Sequence, residues 1–220
     1  MEPAFIVPPC AENPVILHQD ARFLVVSKPA GLLSVPGRHP ANRDCLIARL
    51  QKEFPGALTV HRLDMDTSGI MLVALDKATQ RYLAGLLEQR RVDKHYVARV
   101  EGLLEKNSGV IDLPMRCDWP NRPLQVIDVD QGKSALTRYE VISRCTRTRR
   151  TRVGLSPVTG RSHQLRLHMA AIGHPILGCR FYAPEPVTAA SGRLLLHAER
   201  LGFAHPSTGL KVSYSAPAPF

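Results

Sequence analysis

His61-Arg62-Leu63-Asp64-Met65-Asp66-Thr67-Ser68-Gly69 divides two apolar runs. Ala57, Leu58 and Val60 lead in, and Ile70-Met71-Leu72-Val73-Ala74-Leu75 leads out. Both flanks read as buried strands, since a short apolar run bounded by turn residues suits a strand covered on both faces. Thr67-Ser68-Gly69 reads as the turn between them. Arg62 and Asp64 therefore stand at a strand end, and a charged loop on a rigid scaffold is a place for chemistry. By residue type alone, a carboxylate two positions from a guanidinium reads more often as a structural ion pair than as a catalytic group.

Upstream, Val15-Ile16-Leu17 and Phe23-Leu24-Val25-Val26 read as a hairpin joined through residues 19–22. A loop punctuated by Pro and Gly follows, Lys28-Pro29-Ala30-Gly31-Leu32-Leu33-Ser34-Val35-Pro36-Gly37. Lys28 is either a phosphate contact or a solvated strand end. Residues 44–54 read as a short helix with Leu46, Ile47, Leu50 and Phe54 on one face, stopped by Pro55-Gly56. Asp76 is placed to cap a second helix that ends in Gln89-Arg90-Arg91, where the helix dipole favours cations.

Downstream, residues 94–100 alternate, with Tyr96, Ala98 and Val100 on one face. Residues 109–113 read as a strand. Residues 116–123 read as an irregular loop because Pro120 and Pro123 oppose regular structure. That loop carries the lone Trp of the chain, Trp119, beside Arg116 and Arg122; it is either a stacking platform for RNA or a plug onto the core. Residues 133–143 alternate as a strand. Residues 144–152 hold five arginines and read as a basic hairpin tip, in which Arg147, Arg149 and Arg150 suit non-specific phosphate contact. Ser162 is placed to cap a helix with Leu165, Met169 and Ile172 as its buried stripe and Gly173 as its stop. A strand at residues 194–198 and a final hairpin complete the chain.

The 220 residues carry 29 Lys+Arg against 19 Asp+Glu, a net charge of +10. Such a balance favours polyanions, and nucleic acid fits better than a membrane surface because no basic amphipathic helix is evident. Cysteines at 10, 45, 117, 145 and 179 form no CxxC pair, so neither a disulfide framework nor a zinc site is expected. His163, His168 and His174 lack the i, i+4 spacing of a helical metal site. The N-terminus, with Glu2 and several prolines, does not read as a secretory signal, and a cytoplasmic protein is expected.

Five strings together carry a resemblance to one family. His61-Arg62-Leu63-Asp64-Met65-Asp66-Thr67-Ser68-Gly69 resembles the HRLDxxTSG motif of the RluA family of pseudouridine synthases. Lys28-Pro29-Ala30-Gly31-Leu32 is similar to its KPxGL segment, Lys94-His95-Tyr96 to its KxY motif, and Thr159-Gly160-Arg161-Ser162-His163-Gln164-Leu165-Arg166 to its TGRxHQ(I/L)R motif. Leu194-Leu195-Leu196-His197-Ala198 resembles its last motif, a strand ending in LHA. The resemblance runs from Val15 to the C-terminus. It implies an α+β fold: a mixed, largely antiparallel sheet flanked by helices, with an RNA-binding cleft across it. It further implies an N-terminal arm over residues 1–13 and a catalytic domain over 14–220. No room remains before Lys28 for the S4-type RNA-binding domain of many relatives.

The implied reaction breaks the N1–C1′ bond of a uridine, rotates the base and rejoins it through C5. Nothing is oxidised or imported, so no cofactor and no metal are expected. The resemblance makes Asp64 the catalytic carboxylate, attacking C1′ or taking a proton from C2′. It makes Arg166 its guanidinium partner, a pairing that favours the ionised acid, and Tyr96 the platform for the base. The target must leave its stack, and Arg62 is expected to fill the gap. Arg161 and His163 join the RNA-binding set. The implied targets are uridine 746 of 23S rRNA and uridine 32 of certain tRNAs, read as loops by shape. A monomer with no obligate protein partner and no membrane contact is expected.

Two rivals stand beside this reading. One is an N-glycoside hydrolase using Asp64 and Asp66, which in extended chain lie about 6.6 Å apart, near the inverting separation. The other is a non-catalytic RNA-binding module, which accounts for the arginines but not for Asp64, Tyr96 and Arg166 as a set.

Overall fold

A computed structural model describes residues 6–220. The first five residues of the expected N-terminal arm lie outside that range. Chain order is β1 (Val15–Gln19), β2 (Phe23–Lys28), α1 (Leu46–Leu50), β3 (Leu58–Thr59), β4 (Ser68–Ala74), α2 (Lys77–Glu88), β5 (Asp93–Glu101), β6 (Ser108–Asp112), β7 (Met115–Cys117), β8 (Gln125–Ile127), β9 (Leu136–Cys145), β10 (Arg150–Pro157), α3 (Gln164–Ala171), α4 (Glu185–Ala189), β11 (Leu196–Ala204) and β12 (Lys211–Ser215). Contacts divide the chain into two compact units. One runs through Asp93 and takes up Ala198–Ala218; the other spans Lys94–His197 with Pro219–Phe220.

In the first unit the strand order is β1-β2-β4-β11, with β12 on β11 and β3 on β4. The β1–β2 hairpin is antiparallel, as its sequence predicts, and β2 pairs β4 from Phe23↔Ala74 to Lys28↔Gly69. β4 is buried at every position because apolar side chains cover both of its faces. Phe23, Val25, Ile70 and Leu72 share one face and pack with Leu83 and Leu86 of α2. Burying each such side chain contributes about 1.5–3 kcal/mol. Asp76 caps α2 by accepting the Thr79 amide at 2.8 Å.

The turn expected at Thr67-Ser68-Gly69 sits earlier, at Met65–Asp66, and Ser68 already belongs to β4. Gly69 is needed inside the strand. Its φ is +113°, and a Cβ there would run into the Ala198 backbone, with the amide nitrogen at 2.6 Å. The lead-in strand is also shorter than expected and pairs only at Leu58–Thr59.

In the second unit β5, β10, β9 and β6 pair antiparallel in that order. Ala98, Val100, Ile111, Val153 and Leu155 line the face that receives Leu165 and Met169 of α3, with Ile172 packed at the edge. The 116–123 segment is more regular than its prolines suggest: β7 takes Arg116 and Cys117 into a small hairpin with β8. Ser162 does not cap α3. The cap position is His163 in left-handed backbone, φ 55°, a region His tolerates better than most residues. Gln164 closes the turn instead, its Oε1 accepting the Arg161 amide at 3.0 Å and the Thr159 hydroxyl at 2.8 Å.

Candidate active site

Asp64 and Arg62 lie in the first unit, on the loop between β3 and β4. Arg62 is exposed and Asp64 half-buried. The loop is irregular, so its backbone groups need partners from elsewhere. Ser34 supplies a pair: its buried hydroxyl accepts the Leu63 amide at 3.1 Å and donates to the Leu63 carbonyl at 2.7 Å. Both sides of the residue before Asp64 are thereby fixed. The residue after it is fixed as well. The Met65 carbonyl accepts the Gly31 amide at 2.8 Å and the Lys28 ammonium at 3.0 Å. Within the loop, the Thr67 amide donates to the Asp64 carbonyl at 3.1 Å, and the loop is tied to β4 by His61 Nε2, which accepts the Leu72 amide at 3.0 Å.

Lys28 meets neither of its two expected fates. It is fully buried, and its ammonium also donates to the carbonyls of Pro29 at 2.8 Å and Leu32 at 2.7 Å. A lysine on a flexible stem can point three donors at three carbonyls of a sharply turned loop. The basic residue of the 28–37 segment is thus an internal staple between that segment and the Asp64 loop.

The second unit holds Tyr96, Arg161, His163 and Arg166. Tyr96 is half-buried on β5 opposite Leu155, against the same cluster as Tyr182. Lys94, two residues before, has its pKa lowered by burial. Arg166 is 1% exposed, unlike an ordinary surface arginine of a helix. Its guanidinium carbon lies 4.9 Å from the Phe181 ring centroid and 5.8 Å from that of Tyr182, and its Nε donates to Cys179 Sγ at 3.4 Å. A desolvated cation over an aromatic face gains about 2 kcal/mol. His163 stacks on Phe181 with centroids 5.3 Å apart, and its Nδ1 is 2.7 Å from the Tyr182 hydroxyl. Arg161 is exposed, with its Nε on the Ser134 carbonyl at 3.2 Å.

Behind α3 runs a buried chain of hydrogen bonds. Gln164 Nε2 donates to Thr137 Oγ1 at 3.0 Å, and His168 Nδ1 lies 2.9 Å from the same oxygen. His168 Nε2 is 3.0 Å from the Leu113 carbonyl. A carbonyl only accepts, so Nε2 carries the proton and Nδ1 accepts from Thr137. The ring is then neutral, in keeping with a pKa that burial lowers.

Of the expected basic tip, Arg147 and Arg149 are exposed at the β9–β10 turn. Arg150 pairs with Glu101 at 3.7 Å. Arg144 and Arg152 turn inward, onto the Leu104 carbonyl at 2.6 Å and the Phe220 carbonyl at 2.6 Å. Sequence reasoning missed Ser34, Phe181 and Tyr182. The last two carry a usable signal, adjacent aromatics in a chain whose aromatic content is 5%; Ser34 carries none.

Residues 22–171 match the sequence profile of the RNA pseudouridylate synthases. Over 206 residues the chain is 52% identical to a dual-specificity RNA pseudouridine synthase RluA of Yersinia pestis, covering 94% of this chain and all of that one. It is equally similar to the protein of that name from Escherichia coli (strain K12), with 94% of each covered. Among solved structures, the human RNA pseudouridylate synthase domain-containing protein 1 superposes with a TM-score of 0.79 at 30% identity, over all of this chain and 87% of the other. The α+β fold is that of the pseudouridylate synthases. The chain belongs to the RluA family and is an RNA pseudouridine synthase, an isomerase whose substrate is RNA.

Proposed function

We propose that the enzyme converts uridines in two classes of structured RNA, with Asp64 as the catalytic carboxylate. The observation that carries this is the clamped backbone around Asp64: Ser34 fixes Leu63 on both sides, and Lys28 and Gly31 fix Met65. A group that must meet one sugar carbon needs positioning of this kind. Asp64 attacks C1′, or takes a proton from C2′; either step uses the ionised acid and breaks the glycosidic bond. Tyr96 offers the detached uracil a ring to lie on. Arg166, caged and always protonated, supplies the orienting cation. Arg62, exposed beside Asp64, fills the space the flipped base leaves. Arg161, His163, Arg147 and Arg149 contribute RNA contacts, and residues 14–220 act together as one catalytic domain.

The targets we propose are uridine 746 of 23S rRNA and uridine 32 of certain tRNAs. The name of the similar Yersinia and Escherichia proteins, dual-specificity, supports two RNA classes. The protein works as a monomer in the cytoplasm; among the described residues no helix is long and apolar enough to cross a membrane. The test is carbodiimide mapping of RNA from cells lacking the protein. Loss of signal at those two uridines is expected, and their retention would refute the target assignment. Product analysis separates the hydrolase rival: isomerisation yields pseudouridine with no free uracil.

A further inference from the structure

Trp119 is a residue of the second unit that simple burial does not explain. An indole offers a large apolar area to a core, yet this one is 65% exposed. Its loop is nevertheless closed tightly. The Asp118 amide donates to the Leu124 carbonyl at 3.0 Å, the Leu124 amide to Asn121 at 3.0 Å, and the Asn121 amide to Asp118 at 3.1 Å. The Asp118 carboxylate is engaged by the Asn121 side-chain amide at 2.9 Å. Arg122 lies over the indole, 4.8 Å from its centroid, and is held there by Nε donating to the Trp119 carbonyl at 3.1 Å. With one face backed by a cation, that degree of exposure leaves the opposite face open.

The platform is also tied to the cage around Arg166. The Gln125 amide, at the start of β8, donates to the Tyr182 hydroxyl at 3.0 Å, and that hydroxyl is 2.7 Å from His163 Nδ1. A rigid, open aromatic face backed by a guanidinium takes a flat π system, and an accompanying negative charge is welcome. An unpaired nucleobase with its phosphate has both properties.

We propose that Trp119, backed by Arg122, is a nucleobase-stacking site that holds an unpaired base of the RNA other than the target uridine. The site selects looped over paired RNA, because a base inside a duplex offers no free face. The proposal rests on the reading of this chain as an enzyme of structured RNA, and deepens it.

Trp119 is the only tryptophan, so emission excited at the red edge of indole absorption, where the five tyrosines do not absorb, reports on this site alone. The measurement titrates the protein with an anticodon-type RNA stem-loop and, separately, with a blunt RNA duplex of equal length. The stem-loop is expected to quench the emission with the same midpoint as binding read from a labelled RNA; the duplex is expected to leave it unchanged. Trp119→Ala should weaken stem-loop binding roughly five- to hundredfold, the range of one lost base stack. Trp119→Phe should restore most of that loss and duplex binding should not move. Because the side chain is exposed, neither variant should alter the unfolding midpoint. Unchanged emission at full occupancy by the stem-loop, or equal binding by Trp119→Ala, would overturn the proposal. Conversion of uridine by the wild-type protein is scored separately, so failure of the stacking site and failure of the isomerase reading give different results.

Discussion

The loop of Asp64 and the tip at residues 146–149 look alike in sequence, both short, polar and charged. In the structure they are opposites. Around Asp64 the neighbouring peptides are held from outside the loop by Ser34, Gly31 and a fully buried lysine. At the tip, Arg144 and Arg152 are tied to backbone carbonyls at the hairpin's base, whereas Arg147 and Arg149 are exposed at its turn. The difference fits the roles proposed for the two. Bond-breaking demands a carboxylate at one place, whereas attraction to phosphate works over a Debye length and tolerates motion.

The contrast breaks most readily at Lys28. Lys28→Met keeps the stem but removes the donor, taking it from the Pro29 and Leu32 carbonyls while the Met65 carbonyl keeps the Gly31 amide. Stability should fall by roughly 1–3 kcal/mol for each buried carbonyl left unpaired, and turnover should fall with it. Urea unfolding and single-turnover assays check this; a variant as stable as the parent would show that the staple is not one.

An intermediate effect is expected at His168, which braces α3 rather than either loop. Its folded pKa is lowered by burial, so the unfolded chain binds the proton more readily. Stability therefore is full above the ordinary imidazole value of about 6.5 and is lost as pH falls below it. The slope of unfolding free energy against pH between about 5 and 7 should flatten in His168→Gln. An identical slope in both proteins would argue that the ring is not held neutral.

The smallest effect belongs to the tip. Changing Arg147 and Arg149 together to Gln should leave stability within about 0.5 kcal/mol and lower the salt slope of RNA binding by about one to two. An unchanged slope would argue that the tip faces away from RNA.

Much of this was legible in advance, and the gaps have physical causes. Strands such as β2 and β4 declared themselves because their apolar runs admit no other solvated state. The roles proposed for Asp64, Tyr96 and Arg166 come from motif strings, not from periodicity. Lys28 was not, since sequence shows a charge but not the three carbonyls that a turned chain aims at it. Ser162 misled because a cap preference is weak beside a glutamine that can reach two partners at once. Phe181 and Tyr182 stand 15 and 16 residues from Arg166; their adjacency marks them out, but nothing local says which cation they enclose. The Asp64 turn was misplaced by two residues because Gly69 is required by the approach of the Ala198 backbone rather than by a turn.

The central claim is that the carboxylate of Asp64 breaks the glycosidic bond. Asp64→Asn preserves shape and removes the ionisable oxygen. Single-turnover conversion of a tritiated uridine stem-loop, measured beside binding of the same RNA, tests it most directly. We predict conversion below detection with affinity within about threefold of the parent, less than one phosphate contact is worth. Conversion by Asp64→Asn at the parent rate would contradict the assignment.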